Sequence, residues 1–503
     1  MDCDTFDLLN RTRTSMRRIC IALALAPALA AADVAYTLKP LPDKALLHVT
    51  ITVPKASEVE KFRIPAWCPG FYFLLDYQKQ IQNVEATDTL GNKLPVTSPE
   101  AHEWDVKSAA GGSVTLSYDV LGDDAGLGFF SDNVRADKAF ANGPATFMYP
   151  VTRKEEKDSL RITLPEKWDI ATGMSSKDGV YIAGGYDELI DHPIQMGKFE
   201  RRTFKVGDIP FEAVFVAPDN NIAANVDKEA EVLHAISKSP LQLFGQKSGF
   251  KRYVYIFHLA VGNFAGGLEH RASTCIAINN SPSLGMADLA AHEYFHSWNV
   301  KQIRPAILGP FDYTQQVRTA NLWFAEGVTD YYAKLVTYRS GAGDQRWLLD
   351  QLSNQVKGLQ NGKMRKSVTL ADCSRRAWEN GGFGVGDLSY YTKGLLVGWI
   401  FDAVIRAKTE GKKSLDDVMR LLYDRYHLPQ TGYPEDGILK AINEVAGTDL
   451  SNLYQRMVYS TQELPYDLLG MIGLAIDPNG NVGLDSNADS ETVKLRQAWL
   501  AIP

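Results

Sequence analysis

The chain has 503 residues, of which 45% are hydrophobic and 22% are charged, a balance typical of globular proteins. A chain of this length is longer than one that usually folds around a single hydrophobic core, so we expect two or three domains. Lys and Arg together number 53 against 60 Asp and Glu, which gives a net charge of -7 with both signs spread along the chain. The composition therefore excludes a basic stripe for nucleic acid and gives no indication of a membrane-surface role.

The first 32 residues have the pattern of an export signal. Residues 16–18 (Met-Arg-Arg) give a short positive start, residues 19–26 form an apolar run, and residues 28–32 supply small side chains for cleavage. Pro27 interrupts this segment, which argues against the alternative of a short buried helix. The pattern predicts an exported protein, periplasmic or secreted, whose mature chain begins near Asp33. Because the aspartates that precede Met16 fit poorly in a positively charged leader, Met16 is a candidate for the true initiator.

The mature chain begins with a region that has the pattern of β-strands. Short apolar runs such as 46–53 and 114–120 are separated by turn residues, which predicts a β-rich, sandwich-like N-terminal domain over residues 33–215. The spacing becomes helical over 226–244, then returns to strands at 253–257 and 274–278 before a helix that opens at Asp288. We therefore predict a second domain of mixed sheet and helix over residues 216–385.

The remainder of the chain is predicted to be mostly helical. Gly and Pro breaks separate the expected helices, which lie at 321–338, 345–358, 389–409, 415–426 and 436–446. The order of sheet first and helices afterwards is typical of the α+β class, with a helical subdomain over 386–465 and a tail over 466–503. The apolar run 394–405 is about a dozen residues long and contains Asp402, so it predicts a buried helix, and we expect no membrane span in the mature chain.

The strongest chemical signal is the sequence His-Glu-Tyr-Phe-His at residues 292–296. Histidines at positions i and i+4 lie on one helix face, where two imidazole nitrogens can bind a tetrahedral zinc ion. His292 and His296 are therefore predicted metal ligands, and Glu293 would lie beside the open position of the metal. The alternative is that these residues belong to a structural helix and that the motif occurs there by chance.

A third ligand is predicted thirty positions after His296. Glu326 lies among apolar residues that indicate a buried helix, where an unpaired charge is costly, and a catalytic zinc site with two histidines needs such a glutamate. The alternative interpretation is that Glu326 is an exposed carboxylate on the surface of a helix. Asp330 lies on the same helix face and could accept the second ring N–H of a ligating histidine, with a surface salt bridge as the competing interpretation.

Residues 292–305 followed by 322–327 resemble the glycyl aminopeptidase family of zinc metallopeptidases. The likeness extends to residues 67–72, 266–271 and 390–394, and it covers nearly all of residues 35–475. It implies a β-domain, a thermolysin-like catalytic domain, a helical subdomain and cleavage of small N-terminal residues such as Gly and Ala. Similar proteins commonly continue into a PDZ-like domain, for which residues 466–503 leave no room, so we expect a tail without one.

The resemblance also implies roles for single residues. Gly266, Gly267 and Glu269 correspond to an edge strand whose carboxylate binds the α-ammonium group of the substrate, although an ordinary strand-end carboxylate is the alternative. Tyr391 resembles the tyrosine that donates a hydrogen bond to the oxyanion in related aminopeptidases, and the adjacent Tyr390 leaves this assignment open. Lys301 and Arg304, which follow the zinc helix, are expected to lie outside the site.

These features together predict an aminopeptidase with one zinc ion per chain, peptide substrates with a free N-terminus, and Glu293 as general base. An endopeptidase with the same metal chemistry is the nearest alternative, and a catalytically inactive peptide-binding protein is a more distant one. Cys68, Cys275 and Cys373 remain in the predicted mature chain without any regular metal-site spacing, and one disulfide with one free thiol would be consistent with their number.

Overall fold

The computed structural model describes residues 33–124, 129–260, 265–379 and 381–502, so the predicted export signal lies outside the described residues. The first half of the chain is rich in β-structure, as expected. Its strands are β1 (Val34–Leu41), β2 (Leu46–Val53), β3 (Val59–Arg63), β4 (Ile81–Thr87), β5 (Lys93–Leu94), β6 (Val96–Glu100), β7 (Glu103–Lys107), β8 (Val114–Leu121), β9 (Asn133–Val134), β10 (Lys138–Ala141), β11 (Tyr149–Pro150), β12 (Asp158–Ile162), β13 (Asp169–Ala171), β14 (Ser176–Lys177), β15 (Val180–Ala183) and β16 (Ile194–Gly197). Two short helices, α1 (Gly143–Thr146) and α2 (Tyr186–Ile190), lie among them.

These strands form one large sheet and two smaller ones. The large sheet has the order β14-β15-β12-β1-β2-β8-β4-β5, and the others have the orders β13-β16-β10-β9 and β11-β3-β7-β6. Val49 and Ile51 of β2 point inward and are fully buried, because alternate side chains of a strand face one side of its sheet. They share one core with Phe62 of β3 and Val106 of β7. The sheets therefore pack face to face, which confirms the sandwich-like arrangement.

A fourth sheet follows, with five strands: β17 (Glu200–Val206), β18 (Ile209–Val216), β19 (Tyr253–Ala260), β20 (Gly266–Glu269) and β21 (Ser273–Asn279), in the order β17-β18-β19-β21-β20. The pairs β18–β19 and β19–β21 are parallel, whereas the two outer pairs are antiparallel. Residues 200–215 were expected to belong to the N-terminal domain, but β17 and β18 are hydrogen-bonded into this sheet. Alternating apolar residues identify a strand without specifying its partner, so the sequence placed the boundary too late.

The remaining helices are α3 (Val226–Ile236), α4 (Lys238–Leu243), α5 (Ala287–Phe295), α6 (Thr329–Arg339), α7 (Gln345–Asn361), α8 (Leu370–Arg375), α9 (Tyr390–Lys408), α10 (Leu415–Tyr426), α11 (Gly437–Ala446), α12 (Ser451–Val458) and α13 (Ser490–Leu500). A π-helical segment, Trp323–Val328, leads directly into α6. The expected helices after residue 320 are present, whereas the helical pattern over 226–244 is divided at Ser237. Most of α9 is buried, and within the described ranges we find no helix both long and apolar enough to cross a membrane.

The C-terminal tail packs against the helical region. It contains a 3₁₀ segment, Tyr466–Ile472, and a hairpin of β22 (Leu474–Ile476) and β23 (Val482–Leu484) before α13. Trp499 of α13 is buried, its ring lies 6.2 Å from that of Trp399, and its Nε1 donates a hydrogen bond of 2.7 Å to the hydroxyl of Tyr331. These contacts join the tail to α6 and α9. Cys68, Cys275 and Cys373 are all buried, and none of them forms a disulfide with another described residue.

Candidate active site

Two imidazoles meet on one face of the α5 helix. His292 lies in its last turn and His296 immediately follows it, so the i, i+4 spacing brings their rings together. Their Nε2 atoms are 3.0 Å apart, and both residues are buried. The helix is thus placed as predicted, with its histidine face directed into the interior rather than toward solvent.

Glu326 joins these imidazoles from the π-helical segment. Its Oε2 lies 3.1 Å from Nε2 of His296 and 3.6 Å from Nε2 of His292. The segment can lie this close to α9 because residue 327 is a glycine: a Cβ there would lie 2.5 Å from the Cα of Gly394. Single π turns are frequent at functional sites, and this one sets the position of the carboxylate.

The outer nitrogen of each imidazole has a fixed partner. Nδ1 of His296 lies 2.8 Å from the backbone oxygen of Asn299, which can only accept, so this nitrogen carries the proton. Nδ1 of His292 lies 3.5 Å from Oδ1 of Asp330. Both Nε2 atoms therefore direct lone pairs toward each other and toward the Glu326 carboxylate. Three such electron donors repel one another unless they share a cation.

The donor set fits zinc. Its atoms are separated by 3.0, 3.1 and 3.6 Å, whereas ligands about 2.0 Å from a tetrahedral zinc ion are about 3.3 Å from one another. Two imidazole nitrogens and one carboxylate oxygen are the ligands of catalytic zinc sites that leave a fourth position open. His292, His296 and Glu326 could therefore hold a single ion.

Asn299, for which local spacing predicted no role, links the end of α5 to the π-helical segment that carries Glu326. Its Nδ2 donates to the backbone oxygen of Phe324 at 2.8 Å and to Oγ1 of Thr329 at 3.0 Å. The same residue therefore orients His296 through its carbonyl oxygen and holds the segment that carries Glu326 through its amide. Such outer partners fix the positions of ligating side chains.

Glu293 lies beneath the edge strand β20. It is 4% exposed, and a Cβ added to Gly267 would lie 2.3 Å from its Cδ, so the glycine allows the strand to pass directly over the carboxylate. Burial raises the pKa of Glu293 to about 7, against the opposing effect of the neighbouring His292 and His296. Gly266 opens the same strand, which has a strand neighbour on one side only in the described part of the sheet. A peptide could pair with the other side.

The two adjacent tyrosines at the start of α9 have different surroundings. Ser389 caps the helix by accepting a hydrogen bond from the N–H of Tyr391 at 3.1 Å. The hydroxyl of Tyr390 donates to the backbone oxygen of Gly382. The ring of Tyr391 instead lies 6.1 Å from that of His292. Burial and the charges of Glu326 and Glu269 raise the pKa of Tyr391 well above its ordinary range, so its hydroxyl remains a donor.

Glu269, at the end of β20, lies over the same cluster. Ligand atoms of Glu269, Glu293 and His296 are all within 4.8 Å of one another. Lys301, which we expected to lie outside the site, is buried, and its Nζ is 3.9 Å from Oε1 of Glu269. Its Nζ also donates a hydrogen bond of 2.9 Å to Oδ1 of Asp191, so Lys301 pairs with acidic side chains and lies nearer to the candidate site than expected, because the chain turns inward after α5. Arg304 lies over the ring of Phe311, 5.0 Å from its centroid.

This fold and this buried cluster define a metallopeptidase. The chain belongs to the M61 peptidase family: residues 35–198 match the Peptidase M61 N-terminal domain, and residues 285–397 match the M61 glycyl aminopeptidase domain. The two matched ranges together cover more than half of the chain. They include β1 from its second residue, all of β2 to β16, and His292, His296 and Glu326. A search of curated protein sequences finds no match.

Solved structures show the same architecture. The chain is similar to an aminopeptidase N family protein from Idiomarina loihiensis, with a TM-score of 0.81 and 26% identity over 88% of this chain and 79% of that one. It also shares its fold with a mutant of the M1 zinc metallopeptidase from Deinococcus radiodurans, with a TM-score of 0.54 and 14% identity over 86% of this chain and 95% of that one. The latter likeness concerns the fold alone.

Proposed function

We propose that this protein is a zinc-dependent aminopeptidase that hydrolyses the first peptide bond of peptides with a free N-terminus. The observation that carries the proposal is the position of Glu269, whose carboxylate lies within 4.8 Å of ligand atoms of both Glu293 and His296. An anionic group so close to the reaction centre suits a substrate whose ammonium group is one residue away from the scissile bond. An endopeptidase would need room here for a continuing chain.

His292, His296 and Glu326 would hold one zinc ion per chain. The ion, when bound, supplies Lewis-acid activation of water and of the scissile carbonyl. Asp330 would keep His292 in the tautomer that exposes Nε2, from its position 3.5 Å from Nδ1. Asn299 does the same for His296 through the hydrogen bond of 2.8 Å to its carbonyl oxygen.

The other residues would bind the substrate and move protons. Glu293 would accept the proton of the attacking water and return it to the leaving amine. The hydroxyl of Tyr391 would donate a hydrogen bond to the developing oxyanion. Glu269 would bind the α-ammonium group, while Gly266 and Gly267 allow the substrate backbone to lie along the open edge of β20.

A preference for Gly or Ala as the first residue is part of the proposal. It is supported by membership of a family described as glycyl aminopeptidases. Comparison of Gly-, Ala-, Leu- and Phe-initiated peptides by kcat/KM would test it. Equal values for all four would contradict the preference and leave the aminopeptidase activity itself in place.

The activity is tested with a Gly-initiated peptide and its N-acetylated counterpart, each assayed with the zinc-loaded protein and after chelation. We expect release of the first residue from the free peptide only, and loss of this activity on chelation with recovery when zinc is restored. Cleavage of both peptides would identify an endopeptidase. Cleavage of neither would favour a peptide-binding protein.

We also propose that the protein is exported to the periplasm or secreted, on the basis of residues 16–32 in the sequence. Expression of the full chain followed by N-terminal sequencing of the product should show a mature chain that begins near Asp33. A product that retains residues 16–32 would contradict this proposal.

A further inference from the structure

Glu269 is in contact with the N-terminal β-rich region. Gly70, in the segment that follows β3, has a φ of +93°, and a Cβ added to it would lie 2.7 Å from Oε2 and 2.8 Å from Oε1 of Glu269, and 2.7 Å from Cδ1 of Leu268. Real side chains do not approach an oxygen this closely. A glycine therefore allows the backbone of one region to lie directly against the carboxylate of another.

A second contact comes from Lys301. Its Nζ lies 3.9 Å from Oε1 of Glu269 and donates a hydrogen bond of 2.9 Å to Oδ1 of Asp191. Asp191 directly follows α2 and so also belongs to the β-rich region. The lysine is 6% exposed, which means that both ion pairs lie in surroundings poor in water, where they are strong.

Asp191 also anchors the segment that follows the Glu269 strand. Its Oδ2 accepts a hydrogen bond of 3.2 Å from the backbone N–H of Arg271, and its Oδ1 lies 3.2 Å from Nδ1 of His270. The end of β20 is thus tied to the β-rich region by its backbone as well as through the lysine. The position of the carboxylate depends on both regions of the chain.

We propose that Gly70 is a positioning residue for the substrate-binding carboxylate: together with Lys301 it holds Glu269 in the orientation that receives the α-ammonium group. A glutamate side chain has three rotatable bonds, and its carboxylate would otherwise occupy several orientations at an entropic cost to binding. The proposal rests on the aminopeptidase function. It assigns to the N-terminal region a direct part in forming the site.

The test compares Gly70→Ala with Gly91→Ala. Gly91 has a φ of +82° and lies in the same region, but a Cβ added to it would have no atom of the described residues within 4 Å. Both substitutions therefore place alanine at a positive φ, and only Gly70→Ala displaces Glu269. We expect Gly70→Ala to raise KM for a Gly-initiated peptide by about 10- to 100-fold, with a smaller change in kcat and unchanged zinc content. Equal KM values for the two variants would overturn the proposal.

A second measurement remains informative if Gly70→Ala is too unstable to assay. In the Glu269→Ala background the carboxylate is absent and only the contact with Leu268 remains. Gly70→Ala should therefore lower the melting temperature less than it does in the wild-type chain, whereas the effect of Gly91→Ala should be the same in both. An equal decrease for Gly70→Ala in both backgrounds would show that the contact with Glu269 is unimportant. A wild-type protein that fails to cleave the free peptide would instead overturn the proposed function, and this inference with it.

Discussion

The ring of Tyr391 lies 6.1 Å from the imidazole of His292, centroid to centroid, with 27° between their planes. Its neighbour Tyr390 is fully buried and donates its hydroxyl proton to the backbone oxygen of Gly382. The two rings stack on each other with 4.9 Å between centroids, but the hydroxyl of Tyr390 is engaged by Gly382, whereas the ring of Tyr391 lies against His292. The geometry therefore favours Tyr391 as the donor to the oxyanion.

This difference predicts opposite effects of two similar substitutions. Tyr391→Phe should lower kcat about 10²- to 10³-fold with little change in KM, because it removes a donor used mainly in the transition state. Tyr390→Phe should retain kcat and lose about 1 kcal/mol of stability, because the carbonyl oxygen of Gly382 loses its partner. Steady-state kinetics and urea denaturation of both variants separate the two roles. A greater loss of kcat in Tyr390→Phe would reverse the assignment.

The position of Glu293 under Gly267 makes glutamine its best probe. Glu293→Gln keeps the volume that packs against β20 and removes the ability to accept a proton, so kcat should decrease about 10²- to 10⁴-fold. Because Glu293 is not among the proposed ligands, the zinc content measured by atomic absorption should remain at one ion per chain. Substantial activity in this variant would exclude the general-base role, and loss of zinc would place Glu293 among the ligands.

Asp330 lies between His292 and Lys334, at 3.5 Å from Nδ1 of the histidine and 3.2 Å from Nζ of the lysine. Asp330→Asn should weaken zinc binding about 10- to 100-fold, because an amide no longer fixes the tautomer of the ligand. Asp288→Asn is a matched control, since Asp288 binds the same lysine without a hydrogen bond to His292. Competition with a zinc chelator measures both affinities. Equal losses of zinc affinity in the two variants would indicate that the charge of Lys334, rather than the orientation of His292, weakens zinc binding.

Asp158, at the start of β12, predicts a pH dependence of stability. Asp158 is 2% exposed, its Oδ2 has no hydrogen-bond partner among the residues that the structure describes, and burial raises its pKa to about 8. In the unfolded chain an aspartate has a pKa of about 3.9. Between these values the folded state retains a proton that the unfolded state releases, so raising the pH through this window should lower stability by up to about 1.4 kcal/mol per pH unit.

Asp158→Asn removes this titration and should therefore reduce the loss of stability between pH 5 and pH 8. Urea denaturation at several pH values measures the slope, with Asp208→Asn as an exposed control. A slope that is unchanged by Asp158→Asn would show that this carboxyl group is ionised in the folded state at neutral pH.

The sequence by itself determined the features that depend on residues close together in the chain. The positions of α5 and α9 follow from helical spacing, and the grouping of His292 with His296 follows from the pitch of one helix. Glu326 was predicted from apolar neighbours that favoured a buried helix, and the structure places its carboxylate beside both imidazoles. These inferences need only the residues within one or two turns, together with the ligand set that a catalytic zinc site requires.

The tertiary structure decided what depends on contacts between distant segments. The pairing of β18 with β19, the contact of Gly70 with Glu269 and the inward turn of Lys301 have no signal in local spacing. Gly70 and Glu269 are separated by almost two hundred residues, and a glycine in a loop has the same sequence pattern whether it faces solvent or a carboxylate. Periodicity specifies which face of an element is apolar, whereas the packing of whole regions determines which side chains meet.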